Sequence, residues 1–287
     1  MSPASVVVIG AGTMGAGIAQ WFAQQMIPTV LCDTNAVQSQ RALTSIHASW
    51  DKLVEKEKLT ASQVSQMKSL LEAKPLSAVH PKTDLVIEAI IEDLSVKRSL
   101  FAAIDEQFSS ETIFATNTSS FPIEQLATAV SPARQKHLLG LHFFNPATLM
   151  KLVEVIAGPS TDPALAQNLY SWFEKNGKEP ALCADTPGFI VNRVARGFYG
   201  EALRIVSGDD EAQFKEVDHL MREVGGFKMG PFELMDLIGV DVNYAVTSSV
   251  WEALNKSPRL TPHPLQKKLV DENRHGKKTR RGFYAYE

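Results

Sequence analysis

His142 and Glu154, twelve positions apart, are the residues whose types and spacing most suggest chemistry in this chain. His142 closes the apolar run that starts at Leu138, and Glu154 sits inside MKLVEVI, sharing a strand face with Leu152 and Ile156. If both runs are strands and the chain turns through Asn145-Pro146, the two side chains meet. A carboxylate among apolar neighbours is costly unless it is paired. Paired with an imidazole, it fixes the tautomer and stabilises the imidazolium, which makes a general base suited to taking a proton from an alcohol. His142 alone would read as a core histidine bonded to backbone. Asn117 and Ser119, in the NTSS that follows Ile113–Thr116, would alone read as turn residues. Ser119, His142 and Glu154 also spell a hydrolase triad, but Ser119 lacks the G-x-S-x-G elbow, and a hydrolase has no use for the feature at the start of the chain.

That feature is GAGTMG. Gly10, Gly12 and Gly15, with Thr13 and Met14 between the last two, follow the apolar strand Val6–Ile9 and open a helical pattern. This is the context of a dinucleotide cradle. Gly10 allows the tight turn, Gly12 lets backbone approach a pyrophosphate, Gly15 lets helix pack on strand, and the phosphates meet the positive end of the helix. The next strand ends in Asp33, 18 residues past Gly15, where a carboxylate bonds the adenosine ribose and repels a 2′-phosphate, so the cofactor reads as NAD. The bland alternative makes the glycines a packing turn and Asp33 a helix N-cap.

The elements that must position these groups come from periodicity. Candidate strands are Val6–Ile9, Thr29–Cys32, Leu85–Glu88, Ile113–Thr116, Leu138–Phe143 and Leu152–Ile156, separated by helical stretches as in a parallel sheet covered by helices. Residues 36–74 read as two helices broken at Leu59-Thr60, a helical hairpin inserted into the sheet pattern. From Pro187-Gly188 the strand pattern stops, and helical stretches follow, parted by Gly225-Gly226, Gly230-Pro231 and the segment 258–264. The reading is two domains, 1–186 and 187–287.

Composition sets the outer bounds. The 287 residues are 44% apolar and 21% charged, with a net charge of -3, which does not suggest a nucleic-acid binder. Cys32 and Cys183 have no metal or disulfide spacing, and the seven histidines show no ligand pattern, so no metal is expected. The start, Met1-Ser2-Pro3, leads into a strand without a secretory leader, and no apolar run has membrane-spanning length. The chain therefore reads as cytoplasmic.

GAGTMGAGIAQ, DLVIEAIIEDLSVK, NTSS, GLHFFNP, MKLVEVI, DTPGFIVNR and MGPFELMD, in this order, resemble the short-chain L-3-hydroxyacyl-CoA dehydrogenases, including bacterial 3-hydroxybutyryl-CoA dehydrogenases. The likeness runs from about residue 5 to the closing GFYAY. It implies an α/β, Rossmann-like doubly wound sheet with an inserted helical hairpin, and an all-helical C-terminal domain that dimerises. It also implies reversible oxidation of a 3-hydroxyacyl-CoA to a 3-ketoacyl-CoA in fatty acid or related metabolism. By the same resemblance His142 is the acid/base and Glu154 its orienting partner. Ser119 and Asn192 hold the reacting oxygens, and Glu92, Lys97 and Asn117 join the glycine turn and Asp33 at NAD. Lys52 and Lys56, one helical turn apart in DKLVEKEKL, match lysines that meet coenzyme A, although a solvated face with balanced charge reads equally well.

Two positions depart from the family pattern: Glu57 and Arg280 each stand where glycine is usual. Glu57 adds a negative charge beside the proposed phosphate site, and Arg280 is expected to touch assembly or surface rather than chemistry. Two other readings stay open. One is a dehydrogenase of a free hydroxy or sugar acid, like gulonate dehydrogenase or lambda-crystallin, against which Lys52 and Lys56 argue. The other is a structural NAD-binding protein without turnover, against which the joint presence of Ser119, His142, Glu154 and Asn192 argues.

Overall fold

All-apolar strands bury both faces and so call for helices on each side of a parallel sheet. In the computed structural model, which describes residues 3–287, the strands do this. Met1 and Ser2, part of the leader reading, lie outside the described residues. The strands are β1 (Val6–Ile9), β2 (Thr29–Cys32), β3 (Leu71–Ala73), β4 (Leu85–Glu88), β5 (Ile113–Thr116), β6 (Leu138–Phe143), β7 (Leu152–Ala157) and β8 (Glu179–Ala184). Their order in one sheet is β3-β2-β1-β4-β5-β6-β7-β8. The first six strands are parallel, in the doubly wound order whose reversal falls between β1 and β4, where such sheets open a crevice for ligands.

Three features differ from the reading of the sequence. The segment 36–74 is not helical throughout: α2 (Ala36–Glu55) and α3 (Ala61–Ser69) are followed by β3, which pairs with β2. Strand β8 was not anticipated. The sheet is not wholly parallel either, because β6 and β7 run antiparallel, with His142 directly opposite Glu154. A short connection can join two strands only in that sense, since a parallel return needs a crossover.

The helices of this unit are α1 (Thr13–Gln24), α2, α3, α4 (Leu94–Gln107), α5 (Ile123–Ala127), α6 (Pro132–Gln135) and α7 (Pro163–Lys175). Most of the longer ones start on a side-chain cap: Asn35 on α2, Thr60 with Gln63 on α3, Asp93 on α4 and Asp162 on α7. Helix α1 starts on Gly12 with no side-chain cap, so the N–H groups of its first turn point to whatever lies beyond β1. Trp21 and Phe22 of α1, Phe143 of β6 and Trp172 and Phe173 of α7 form one aromatic cluster, in which Phe22 and Trp172 stack at 5.6 Å. Such pairs add roughly 0.5–1.5 kcal/mol each beyond area burial. Because side chains alternate along a strand, anchoring Phe143 in this cluster turns His142 to the other face.

The chain forms two compact units, the first ending at Thr186 and the second running from Pro187 to Glu287. The second is helical: α8 (Val191–Ile205), α9 (Glu211–Glu223), α10 (Pro231–Ile238), α11 (Val240–Ala253) and α12 (Pro264–Asp271). Phe214, Phe232 and Phe283 pack at its centre with ring centroids 4.6–5.1 Å apart. Two buried aspartates tie its parts together. Asp218 accepts from the backbone N–H groups of Phe232 and Glu233, and Asp236 from those of Phe283 and Tyr284, which pins the GFYAY tail. No helix among the described residues is long and apolar enough to cross a membrane.

Both departures from glycine noted in the sequence have a backbone meaning. Glu57 ends α2 at φ 56° and Arg280 closes a turn at φ 60°, the left-handed region that disfavours a Cβ. Both side chains are exposed and make no hydrogen bond or ion pair among the described residues. Replacing either by Gly removes the strain at the cost of extra chain entropy, so Glu57→Gly and Arg280→Gly should each stabilise the fold by about 0.5–1 kcal/mol. The check is the urea midpoint of each variant, and a lower midpoint in either would refute this account of the turns.

Candidate active site

The crevice starts at the glycine turn. Gly10 has φ 109°, and a Cβ there would run into the carbonyl of Ala89, just past β4; a Cβ on Gly15 would run into the carbonyl of Gly10. Around Gly12 there is open space. The first and third glycines are therefore demanded by the protein's own packing, while the second leaves room for a ligand. Asp33 closes the turn: its carboxylate accepts from Ala11 N at 2.8 Å and from Asn35 N at 2.9 Å. The α2 cap is Asn35, not Asp33. An uncapped helix N-terminus, space at Gly12 and a carboxylate at the end of β2 fit a dinucleotide with its pyrophosphate on α1, held by the backbone of residues 12–15 and by Asp33.

A second concentration of charge lies at the ends of β4 and β5. Glu88, fully buried, accepts from Lys97 Nζ at 2.5 Å, Thr116 Oγ1 at 2.6 Å and Ile90 N at 2.8 Å. Lys97, 1% exposed, also lies 3.2 Å from Glu92 Oε2. Glu92 Oε1 in turn accepts from Thr118 Oγ1 at 2.6 Å, Ser120 Oγ at 2.8 Å and Ser119 N at 2.9 Å, with Ser119 Oγ at 3.4 Å. Desolvation pushes the Glu92 carboxyl up, but the Lys97 ammonium and these hydrogen bonds outweigh it and hold it below the ordinary range. Lys97 and Glu92, expected at the cofactor, thus also fix the NTSS turn and Ser119 with it. Glu88 was legible as an ionisable residue at the end of an otherwise apolar strand, whereas Thr116 was not singled out.

The third group is the β6–β7 hairpin. His142 Nδ1 stands 2.7 Å from Glu154 Oε2, with both side chains buried. With Nδ1 against a carboxylate, the ring proton belongs on Nδ1 and the lone pair on Nε2. Asn117 Oδ1 accepts from Phe143 N at 2.8 Å, so the residue after β5 braces the strand that carries the histidine. A further brace was missed in the sequence. Lys178 is buried, donating to the carbonyls of Ala147 at 2.6 Å and Met150 at 2.7 Å, within the loop between His142 and Glu154. Its ammonium lies 4.8 Å from the Trp21 ring centroid.

The other expected residues lie apart from this cluster. Lys52 and Lys56 are exposed at the last turn and C-cap of α2, about 25 Å along the helix from its start beside Asp33. Asp51 is taken up by Lys68 at 2.6 Å, which removes one of the charges balancing those lysines. Asn192 is in the first turn of α8, in the second unit.

The sheet order, the glycine turn and the acidic end of β2 define an NAD-binding protein of the doubly wound class. The 3-hydroxyacyl-CoA dehydrogenase NAD-binding-domain model matches residues 5–186, and the C-terminal-domain model of the same family matches residues 188–286. The chain belongs to the 3-hydroxyacyl-CoA dehydrogenase family, whose members are NAD-dependent oxidoreductases. It is 43% identical over 98% of its length to a 3-hydroxyadipyl-CoA dehydrogenase of Escherichia coli, and spans 59% of that protein. It is 40% identical, again over 98% of its length, to the mitochondrial hydroxyacyl-coenzyme A dehydrogenase of Sus scrofa, covering 91% of it. Among solved structures, a (S)-3-hydroxybutyryl-CoA dehydrogenase of Ralstonia eutropha superposes with a TM-score of 0.92 at 32% identity, each chain covered in full.

Lys178 yields a pH prediction. Burial without a carboxylate partner pushes its pKa down from 10.5 to about 8. A neutral amine still has N–H groups for both carbonyls, so the charge is the costly part. A lysine whose folded pKa is lowered opposes folding while charged in both states, and the opposition fades as pH rises from about 8 towards 10.5. Between pH 7 and pH 9.5 the wild type should gain about 2 kcal/mol relative to Lys178→Met, read from urea unfolding at both values. Parallel pH dependences in the two proteins would contradict this.

Proposed function

We propose that the chain catalyses the reversible oxidation of a 3-hydroxyacyl-CoA to the 3-ketoacyl-CoA, in fatty acid or related acyl-CoA metabolism. The observation that carries this reading is the buried His142–Glu154 pair, 2.7 Å apart on adjacent strands. Nε2 of neutral His142 takes the proton of the substrate's 3-hydroxyl. Glu154 balances the imidazolium that forms, and the same imidazolium returns the proton in the reductive direction. Bound NAD supplies the acceptor for the hydride that C3 gives up. Ser119 and Asn192 hold the reacting oxygens and ease the charge that builds there. Gly10, Gly12, Thr13, Met14, Gly15, Asp33, Glu92, Lys97 and Asn117 form the cofactor side. The exposed ammonium groups of Lys52 and Lys56 serve the phosphates of coenzyme A.

The relatives' names divide between a chain ending in a carboxylate, adipyl, and an unsubstituted one, butyryl. The class stated here includes both. Cys32 and Cys183, without disulfide spacing, favour a reducing compartment, and we read it as the cytoplasm.

We also read the second unit as the seat of a homodimer. Helices α8 and α9 and the turns around them leave Val194, Leu220, Val224 and Phe227 exposed, Val224 at 81% and Val194 at 70%. Apolar surface of this kind on one helical unit favours a second copy of itself. Light scattering should give twice the chain mass for the wild type and the single-chain mass for Val224→Asp combined with Phe227→Asp. A monomeric wild type at micromolar concentration would end this reading.

For the chemistry, the assay is NADH consumption with acetoacetyl-CoA. His142→Ala should lower kcat by roughly two to four orders of magnitude, while NADH affinity, read by fluorescence titration, stays near that of the wild type. Near-normal turnover in His142→Ala would remove His142 from the mechanism.

A further inference from the structure

Lys178 touches more than the loop whose carbonyls it binds. It is 5% exposed and forms no ion pair among the described residues. Besides its bonds to the carbonyls of Ala147 and Met150, its ammonium stands 4.8 Å from the ring centroid of Trp21 and 5.8 Å from that of Phe143. These partners come from three places: Trp21 from α1, Phe143 from β6, and the two carbonyls from the loop that joins β6 to β7. A desolvated ammonium bound by carbonyls and ring faces together fixes the elements that carry them against one another.

The loop is shaped for this grip. Leu149 N and Met150 N both donate to the carbonyl of Pro146, so residues 146–150 form one tight turn. That turn also rests directly on α1. A Cβ placed on Gly17 would come within 3.3 Å of Ala147 Cβ, closer than ordinary contact. Gly17 and Trp21 are four residues apart and share a face of the helix. The same face of α1 therefore meets the turn twice, directly at Gly17 and through the ammonium at Trp21.

Both ends of this contact matter to the site. His142 and Glu154 are the second pair from the loop end of the β6–β7 ladder, next to Phe143 and Val153. Without the ammonium, two carbonyls of the turn lose their donor, and the turn must shift to find another. The shift acts on a pair only one step into the ladder. At the other end, α1 is the helix whose first turn takes the cofactor phosphates on the reading above. We propose that Lys178 is a positioning residue for the reaction: it holds the turn 146–150 against α1 and so keeps His142 in register with the dinucleotide helix. This rests on the reading of His142 as the acid/base.

The test reads three quantities in Lys178→Met at pH 7. The kcat for acetoacetyl-CoA reduction should fall by about 10- to 100-fold, the cost of a base misplaced by a fraction of an ångström or more, while the NADH Kd from fluorescence titration stays within about twofold. The proton between His142 Nδ1 and Glu154, a downfield proton resonance identified by its absence in His142→Gln, should move or vanish. If Lys178→Met does not fold, Gly17→Ala, which presses on Ala147 with Lys178 in place, is read by the same three measures with the same expectations. An unchanged kcat, an NADH affinity that falls in step with kcat, or a kcat loss with the resonance unmoved overturns the proposal. Should His142→Ala keep normal turnover, the acid/base reading fails, and the resonance alone judges Lys178: moved, it supports positioning of the ring, and unmoved, it refutes it.

Discussion

Glu154 has no exposure to solvent, and its strand neighbours Val153, Val155 and Ile156 are buried apolar residues. A carboxylate can stay in such a place only if a donor of fixed geometry faces it. Much of the local architecture follows from supplying that donor. Strand β7 must run antiparallel to β6 in the register that sets Glu154 opposite His142. The loop between them must return within a few residues, and Lys178 ties its carbonyls down. Asn117 fixes the end of β6 from β5, and the aromatic cluster holds Phe143 on the other face. The imidazole is thereby held with its Nδ1 on Glu154.

The same logic operates at the ends of β4 and β5, where the buried partners are Glu88 and Lys97. An ion pair this deep gains little net stability, because desolvation of both charges offsets their attraction. What it does provide is position. Glu88 holds Ile90, beside the carbonyl against which Gly10 is packed, and Lys97 passes charge on to Glu92, which gathers the NTSS turn. The glycine turn and the NTSS turn are thus linked by one network. A change in Glu88 would be felt at Gly10 and Ser119, neither of which it touches.

Legibility followed the range of the interactions. The apolar strands β1, β2, β4, β5 and β6, the glycine turn and the helical second unit announce themselves in local periodicity, and all were readable. Strand β3 is three residues long and has an exposed Glu72 at its centre, so nothing separates it from the helix before it. Strand β8 contains Pro180 and exposed residues, as an edge strand does, and lacks the apolar run by which the others were found. The sense of β7 cannot be read from composition, although the short connection through Pro146 pointed to a hairpin. The meeting of His142 and Glu154 was legible because a polar residue interrupts each apolar run. Lys178, in a Gly-Lys-Glu stretch after α7, looks like any surface lysine until the carbonyls it serves are seen, 28 and 31 positions upstream.

Arg196 shows the same limit from the other side. In sequence it is one of several arginines on an amphipathic helix, and its neighbours Val194 and Phe198 give no hint of burial. Only the packing of α8 against α11 and α12 brings Asn243, Thr247 and Gln266 around it, and only then does its burial become visible. Where an apolar side chain at that position would close the core of a helical unit at no electrostatic cost, an arginine leaves a desolvated charge one turn from Asn192. What holds the charge there is the carbonyls of Asn192 and Asn243, the Thr247 hydroxyl and the Tyr199 ring, whose centroid lies 5.1 Å from the guanidinium carbon.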